Sequence, residues 1–312
     1  MVQTLTNIVI VGQGAIGLLW YHHLAQINIP LYVSLLASNQ AQLTFAEQQA
    51  GQYKFTYHQQ ITAENFPLNY AQKADIQKAD IILLCVKSFH IASALQQFSA
   101  DISRQCKIIL AHNGMGTFEE IKNIFPKKQA ILTMLTTHGS LRDGPLNIIH
   151  TGLGHSDIGL LSGELSLVQQ RELTHILNRA LPKVNFHENI LEKQWLKLAI
   201  NCVINPITAI NDINNGEVNQ AKYAKQITSL LTEINAVSKK VGINFTLPTL
   251  QEMVSNVALA TAQNCSSMRC DVLAGQRTEI DYINGYIHRL GQKYHVATPE
   301  NSRLWQQVLN IN

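Results

Sequence analysis

A glycine-rich turn near the start of the chain is the feature that most constrains its fold. The apolar run Ile8–Val11 leads into this turn, and Ala15–Gln26, apolar at helical spacing, follows it. Between a strand and a helix, such glycines allow a tight turn, close approach of the backbone to a pyrophosphate, and close helix–strand packing. We therefore expect a dinucleotide to bind at the N-terminus of the helix. The turn has the spacing G-x-G-x-x-G and consists of Gly12, Gln13, Gly14, Ala15, Ile16 and Gly17.

Short apolar runs alternate with helical stretches through the first part of the chain. This rhythm predicts a parallel sheet with right-handed crossovers. A hairpin-like region is expected around Gly152-Leu153-Gly154, with arms over Asn147–Thr151 and His155–Leu160. The strand candidates after the first run are Leu31–Leu35, Ile81–Val86, Ile108–Ala111 and Ile131–Leu135.

From Leu191 onward the periodicity is helical and predicts no strand. Pro206 cannot donate to a helical ladder, so a helix is expected to end or kink there. The predicted fold class is α/β, with a Rossmann-type parallel-sheet domain over residues 1–188 and an all-α domain over residues 189–312. The helix candidates are Leu191–Ile204, Glu217–Val241, Thr249–Gln263, Thr278–Tyr294 and a last one from Thr298-Pro299.

Composition narrows the class of protein. With 312 residues, 46% of them hydrophobic, the chain is long enough for two domains with a core in each. A net charge of +3 without a run of like charges predicts no nucleic-acid or membrane partner. No signal peptide or span-length apolar run is found, so we expect a soluble cytoplasmic protein. The five cysteines and the histidine spacings predict free thiols and no metal site.

The region after the second strand bears on the choice of dinucleotide. NAD enzymes usually place an acid there for the ribose, whereas residues 33–40 contain neither an acid nor an arginine. The missing acid favours NADP. Ser34, Ser38 and Asn39 are possible hydrogen-bond donors, and Lys87, just past a strand, could supply positive charge.

Asn113 is a second site candidate. It follows the strand Ile108–Ala111 at its carboxyl end, where open α/β sheets bind ligands. Asn113-Gly114 is also a favourable turn in its own right. Thr117 with Glu120 predicts a capping box for the next helix.

A lysine and two asparagines form the candidate catalytic group. Lys197, Asn201 and Asn205 recur every four residues and fall on one stripe of an otherwise apolar, buried helix. Buried polar groups need partners, which a polar ligand or an interdomain contact would supply. Lys197 fits a general acid, because hydride delivery to a ketone builds negative charge on the oxygen, which an ammonium group stabilises and protonates. Burial would lower its pKa toward the working pH.

Two further residues have two interpretations each. Ser267 could donate to a carboxylate or cap a helix. Glu279 could accept from a substrate hydroxyl or from Lys197, or it could favour a helix N-terminus after Thr278. The residues alone leave these alternatives open.

Four segments of the chain resemble the ketopantoate reductase family, in order and over nearly the whole length. The resemblance implies reduction of 2-dehydropantoate to (R)-pantoate with NADPH, a step toward pantothenate and coenzyme A. The segments are residues 12–17, 112–116, 197–210 and 278–285.

The resemblance also implies roles for individual residues. Lys197 matches the catalytic lysine, and Glu279 the glutamate that engages substrate and supports catalysis. Asn113 matches an asparagine near both nicotinamide and substrate, and Lys87 a lysine near the cofactor. Leu36 stands where the family often has an arginine for the 2′-phosphate, which weakens the expected preference for NADPH. The remaining substrate-binding positions are Asn201, Asn205, Asn215 and Ser267.

Two other functions are compatible with parts of this pattern. Another β-hydroxyacid dehydrogenase would use Lys197 and Asn201 and would tolerate loss of Glu279, and a branched 2-ketoacid reductase is a related alternative. A non-catalytic NADP(H) sensor would need neither Lys197 nor Glu279, and their joint presence argues against it. The expected partner is a small 2-ketoacid, and the protein is expected to be a monomer or a homodimer.

Overall fold

The computed structural model describes residues 5–37 and 51–311. Its internal contacts divide the chain into two compact units. The first unit comprises Met1–His112 and Phe118–Ile190, and the second comprises Asn113–Thr117 and Leu191–Asn312. The short segment Asn113–Thr117 therefore folds with the helical part of the chain, although both of its neighbours in sequence belong to the first unit.

The strands described all lie in the first unit, together with most of the shorter helices. The strands are β1 (Thr6–Val11), β2 (Leu31–Leu36), β3 (Gln52–Thr56), β4 (Glu64–Pro67), β5 (Ile81–Leu84), β6 (Lys107–Leu110), β7 (Ile131–Thr136), β8 (Gly139–Arg142), β9 (Asn147–Gly152), β10 (Ser156–Ser162) and β11 (Val184–Phe186). The first helices along the chain are α1 (Ala15–Ala25), α2 (Lys73–Gln77), α3 (Ile91–Phe98), α4 (Thr117–Ile121) and α5 (Leu167–Ala180).

The main sheet has the order β11-β10-β7-β6-β5-β1-β2. Neighbours from β7 to β2 are parallel, and β10 runs antiparallel to β7. Successive side chains of β1 enter two different cores, Ile8 and Ile10 in one and Val9 and Val11 in the other. Both faces of the central strands are thus buried, which explains their uninterrupted apolar runs. The predicted Rossmann-type parallel sheet is confirmed.

The predicted hairpin around Gly152-Leu153-Gly154 is wrong. β9 pairs with β3 and β8 in a second sheet of order β4-β3-β9-β8, whereas β10 pairs with β7 in the main sheet. Gly154 instead lies against Thr137 and His138, where a Cβ atom would find no room. Gly154 therefore lets the chain pass close to Thr137 and His138 between the two sheets.

The second unit is helical, and among its described residues no strand occurs. Two predicted helices begin later than expected, because 3-10 turns at Asn215–Asn219, Ala221–Tyr223 and Ile280–Tyr282 precede them. The helices are α6 (Leu191–Asn211), α7 (Ala224–Lys240), α8 (Leu247–Ala260), α9 (Ser267–Leu273), α10 (Asn284–Tyr294) and α11 (Pro299–Asn310).

Helix α6 continues through Pro206, so the predicted end of the helix at this residue is wrong. A proline at this position deprives the carbonyl of Cys202, four residues earlier, of its helical donor. The side-chain amide of Asn284 replaces it, with Nδ2 donating to the Cys202 carbonyl oxygen at 3.0 Å. Since Asn284 is fully buried, this partner from α10 lets the helix extend to Asn211.

No helix in the described part of the chain combines the length and apolar character needed to cross a membrane.

Candidate active site

The three glycines of the turn between β1 and α1 differ in the space around them. Gly12 has φ +110°, and a Cβ atom there would lie 2.8 Å from the Cys85 carbonyl oxygen. A Cβ atom at Gly17 would overlap the Gly12 carbonyl. At Gly14 the nearest atom would be 3.8 Å away, so this position leaves the backbone accessible. The turn thus has the cradle shape that suits a pyrophosphate.

The start of α1 suits an anion. No side chain of the described residues caps this 11-residue helix at Gly14, and its first turn has no acid. Its free N–H groups and dipole therefore favour negative charge. Two side chains of β8 secure the turn, with Ser140 Oγ donating to the Ala15 carbonyl at 3.0 Å and Arg142 Nη1 to the Gln13 carbonyl at 3.3 Å. Sequence reasoning missed both residues.

The other cofactor candidates occupy different environments. Ser34 is fully buried within β2, whereas Ser38 and Asn39 lie outside the described residues. Leu36 is the last residue of β2. Lys87 follows β5 and is partly buried at the start of the 3-10 turn Ser88–His90.

The segment around Asn113 packs on the 3-10 turn Ile280–Tyr282 within the second unit. The Met115 N–H donates to the Tyr282 carbonyl at 2.8 Å. Gly114 adopts φ +81°, and a Cβ atom there would overlap that same carbonyl. A glycine is needed at this position, both for its conformation and for the close approach of the two backbones.

This packing joins two of the predicted site residues. Asn113 Nδ2 donates to Glu279 Oε2 at 3.3 Å. Glu279 is only 5% exposed and immediately precedes the 3-10 turn. A buried carboxylate held by an amide donor can in turn accept a hydrogen bond from a bound molecule.

The polar stripe of α6 lies beside the helical core. Lys197 and Asn201 are partly buried, and Asn205 is 7% exposed. Between them, Leu198 and Cys202 are buried in the core of the second unit. Lys197 is therefore less enclosed than the sequence analysis expected.

Asn215 is buried against the end of α8. Its N–H donates to the Asn264 carbonyl at 3.1 Å and its Nδ2 to Thr261 Oγ at 3.0 Å. Its Oδ1 atom is buried and has no hydrogen-bond partner within the described chain.

The cap of α9 is Ser266, so the alternative that Ser267 caps this helix is wrong. Ser266 Oγ accepts from the Arg269 N–H at 3.1 Å and lies 2.7 Å from Thr208 Oγ of α6. A capping side chain reaches the N–H three residues onward, and here that residue is Arg269. Ser267 is consequently the first helical residue and is exposed.

Within the described residues, no three His, Cys, Asp or Glu side chains are arranged to hold a metal ion. Cys85, Cys106, Cys202, Cys265 and Cys270 all carry free thiols.

Known proteins are similar to this chain in both sequence and fold. The pattern of the family described as Ketopantoate reductase PanE/ApbA matches residues 8–163, and that of its C-terminal part matches residues 189–312. A 2-dehydropantoate 2-reductase of Vibrio cholerae is 34% identical over 98% of this chain and 97% of its own.

Two solved structures illustrate the likeness in fold. D-mandelate dehydrogenase with NADH and anilino(oxo)acetate superposes with a TM-score of 0.88 over 97% of each chain, at 22% identity. A dimeric ketopantoate reductase from Staphylococcus aureus gives a TM-score of 0.77 at 18% identity, over 97% of this chain and 98% of its own. At these identities the likeness concerns the fold alone. Through the two family matches and the Vibrio cholerae relative, the chain belongs to the ketopantoate reductase family of nicotinamide-dependent oxidoreductases.

Proposed function

We propose that this protein reduces 2-dehydropantoate to (R)-pantoate with NADPH. The observation that carries the proposal is the hydrogen bond from Asn113 Nδ2 to Oε2 of the buried Glu279, at 3.3 Å. Both residues belong to the same compact unit as the polar stripe of α6 that contains Lys197. The 34% identity to a 2-dehydropantoate 2-reductase over 98% of the chain supports the substrate.

The first part of the chain, residues 1–188, would hold the cofactor. The glycine turn fits a pyrophosphate, because Gly14 is open while Gly12 and Gly17 admit no side chain. Lys87 and Arg142 supply positive charge for phosphates. When bound, NADPH supplies the hydride that the ketone carbon accepts. Its preference over NADH is supported by the absence of an acid in residues 33–40.

The helical part, from residue 189, would hold the substrate and supply the proton. The ammonium group of Lys197 stabilises the negative charge that grows on the ketone oxygen and transfers a proton from Nζ to it. Solvent then reprotonates the amine. Asn201, Asn205, Asn215 and Ser267 orient the substrate without adding charge. Glu279, held by Asn113, accepts a hydrogen bond from a substrate hydroxyl or from Lys197.

Steady-state kinetics test the proposal. We expect the highest kcat/KM with 2-dehydropantoate and NADPH among branched 2-ketoacids, and (R)-pantoate as the product. A higher kcat/KM for another 2-ketoacid, or oxidation of a 3-hydroxy acid as the main activity, would reject the substrate. A comparable kcat/KM with NADH would reject the cofactor preference.

The oligomeric state is proposed as monomer or homodimer. A structural neighbour, the Staphylococcus aureus ketopantoate reductase, is dimeric. Light scattering after size exclusion distinguishes the two states, and a larger assembly would contradict both. A location in the cytoplasm stays a prediction from the sequence.

A further inference from the structure

The side-chain amide of Asn215 is held by one hydroxyl group. Asn215 Nδ2 donates to Thr261 Oγ at 3.0 Å, and Thr261 Oγ lies 2.8 Å from the Val257 carbonyl, to which it donates. A threonine hydroxyl has a single hydrogen, and here the Val257 carbonyl receives it. The Thr261 oxygen can therefore only accept from Asn215, which favours the nitrogen of the amide on the Thr261 side.

The backbone around Asn215 is equally constrained. The N–H groups of Asn215 and Gly216 donate to the carbonyls of Asn264 and Ala262, each at 3.1 Å. A Cβ atom at Gly216 would lie 2.6 Å from that of Ala262, so the segment packs directly on the chain that follows α8. Asn215 is only 8% exposed and cannot readily turn its side chain elsewhere.

With its nitrogen engaged, the amide presents Oδ1 as an acceptor. This atom is buried and has no partner within the described residues. A buried acceptor left without a donor destabilises the structure. A bound molecule that brings a hydroxyl group removes this cost, and one that lacks the group does not.

We propose that Thr261 is a positioning residue that turns the oxygen of the Asn215 amide toward bound substrate, so that the enzyme selects 2-ketoacids carrying a hydroxyl group. The inference rests on the proposed function, because it takes Asn215 as a substrate-binding residue. Thr261 does not touch the substrate and acts only through the amide.

A pair of substrates that differ only in the hydroxyl group provides the test. Trimethylpyruvate is 2-dehydropantoate without its hydroxyl, and the ratio of the two kcat/KM values measures the selection. Thr261→Val removes the hydroxyl at nearly constant shape, which frees the amide to reverse. We expect this ratio to fall at least about tenfold. The change should lie mainly in KM for 2-dehydropantoate, with unchanged NADPH affinity.

Three further variants isolate the effect. Thr261→Ser keeps the hydroxyl and should retain the wild-type ratio, and Thr261→Ala serves if the valine variant does not fold. Thr232 also donates to the carbonyl four residues before it, at 2.7 Å, but lies exposed on α7. Thr232→Val should therefore leave the ratio unchanged.

The outcomes separate this inference from the proposed function. If the wild type does not reduce 2-dehydropantoate, the proposed function fails. The inference about Thr261 is overturned by a different result. In that case the wild type prefers 2-dehydropantoate, but Thr261→Val and Thr261→Ala leave kcat/KM for both 2-dehydropantoate and trimethylpyruvate unchanged, or lower both equally.

Discussion

At the scale of single residues, the contact between Asn113 and Glu279 joins two segments that are 166 positions apart. It depends on Gly114, whose backbone lies directly against the Tyr282 carbonyl. A carboxylate that is 5% exposed needs such a donor, since an unpaired buried charge is very costly. The pair thus holds the Glu279 carboxyl group at a defined place in the candidate site.

Replacing this charge while keeping its shape tests its role. Glu279→Gln retains an oxygen for the Asn113 amide but is neutral. We expect kcat/KM for 2-dehydropantoate to fall about 10- to 100-fold, because hydrogen bonds to charged groups are the stronger ones. The NADPH affinity should stay the same. Glu252→Gln, at an exposed position of α8, is the matched control. Unchanged kinetics in Glu279→Gln would reduce this glutamate to a purely structural role.

The sequence yields candidate residues for the site but not the contacts between them. Spacing alone placed Lys197, Asn201 and Asn205 on one face of a helix, because helical geometry is local. The Asn113–Glu279 and Asn215–Thr261 hydrogen bonds were not predicted, because they require knowing which distant segments pack together. The sequence left open whether Ser267 caps a helix, and the structure has Ser266 as the cap, because two adjacent serines offer the same capping chemistry.

At the scale of elements, helix α6 depends on a contact with α10. Asn284 Nδ2 donates to both the Cys202 carbonyl oxygen and Asn301 Oδ1, each at 3.0 Å. Asn301 in turn contacts Glu233, whose carboxylate accepts from the first N–H groups of α11, those of Glu300 and Asn301. These hydrogen bonds connect helices α7, α10 and α11 to α6 at the turn where Pro206 removes a backbone hydrogen bond.

A double-mutant cycle tests this compensation. Asn284→Leu leaves the Cys202 carbonyl without a donor and should lower the free energy of unfolding by about 1–3 kcal/mol. In a Pro206→Ala background the helix supplies its own donor to Cys202, so the same change should cost less. Urea denaturation of the four proteins measures the coupling. Equal losses in both backgrounds would show that Asn284 does not compensate for Pro206.

At the scale of the whole molecule, the large parallel sheet followed from the sequence and the smaller sheet did not. The central strands are short runs of buried aliphatic residues whose order along the chain matches a doubly wound sheet. β3, β8 and β9 lack such runs, and β3 pairs with β9 from a distant part of the chain. Only the tertiary structure decides such pairings.

Stability toward acid is a property of the fold around a group of histidines, His22, His23, His138 and His150, which we term the histidine cluster. Their rings lie within 6 Å of at least one other member, as between His23 and His150 at 5.3 Å. Burial, with a smaller effect of neighbouring histidines, lowers the pKa of His22 to about 3 and those of His23 and His138 to about 4. Burial also lowers the pKa of His150.

The sign of the pH effect follows from these directions. Below the ordinary histidine pKa of 6.5, these histidines bind protons in the unfolded chain but stay neutral in the folded chain. The free energy of unfolding therefore falls as the pH drops from 6.5 toward 4. We expect the melting temperature to decrease over this range, and to decrease less steeply in His22→Phe. His175→Gln, at an exposed position, should follow the wild type. Parallel curves for His22→Phe and wild type would contradict this account.

The most direct test of the central claim is the turnover of Lys197→Ala with 2-dehydropantoate and NADPH, beside Lys225→Ala as an exposed control. Because Lys197 is proposed to supply both the proton and the charge at the ketone oxygen, kcat should fall about 100- to 10,000-fold. The affinity for NADPH should stay near the wild-type value, and the control should be fully active. A Lys197→Ala enzyme that turns over near the wild-type rate would contradict the proposed chemistry.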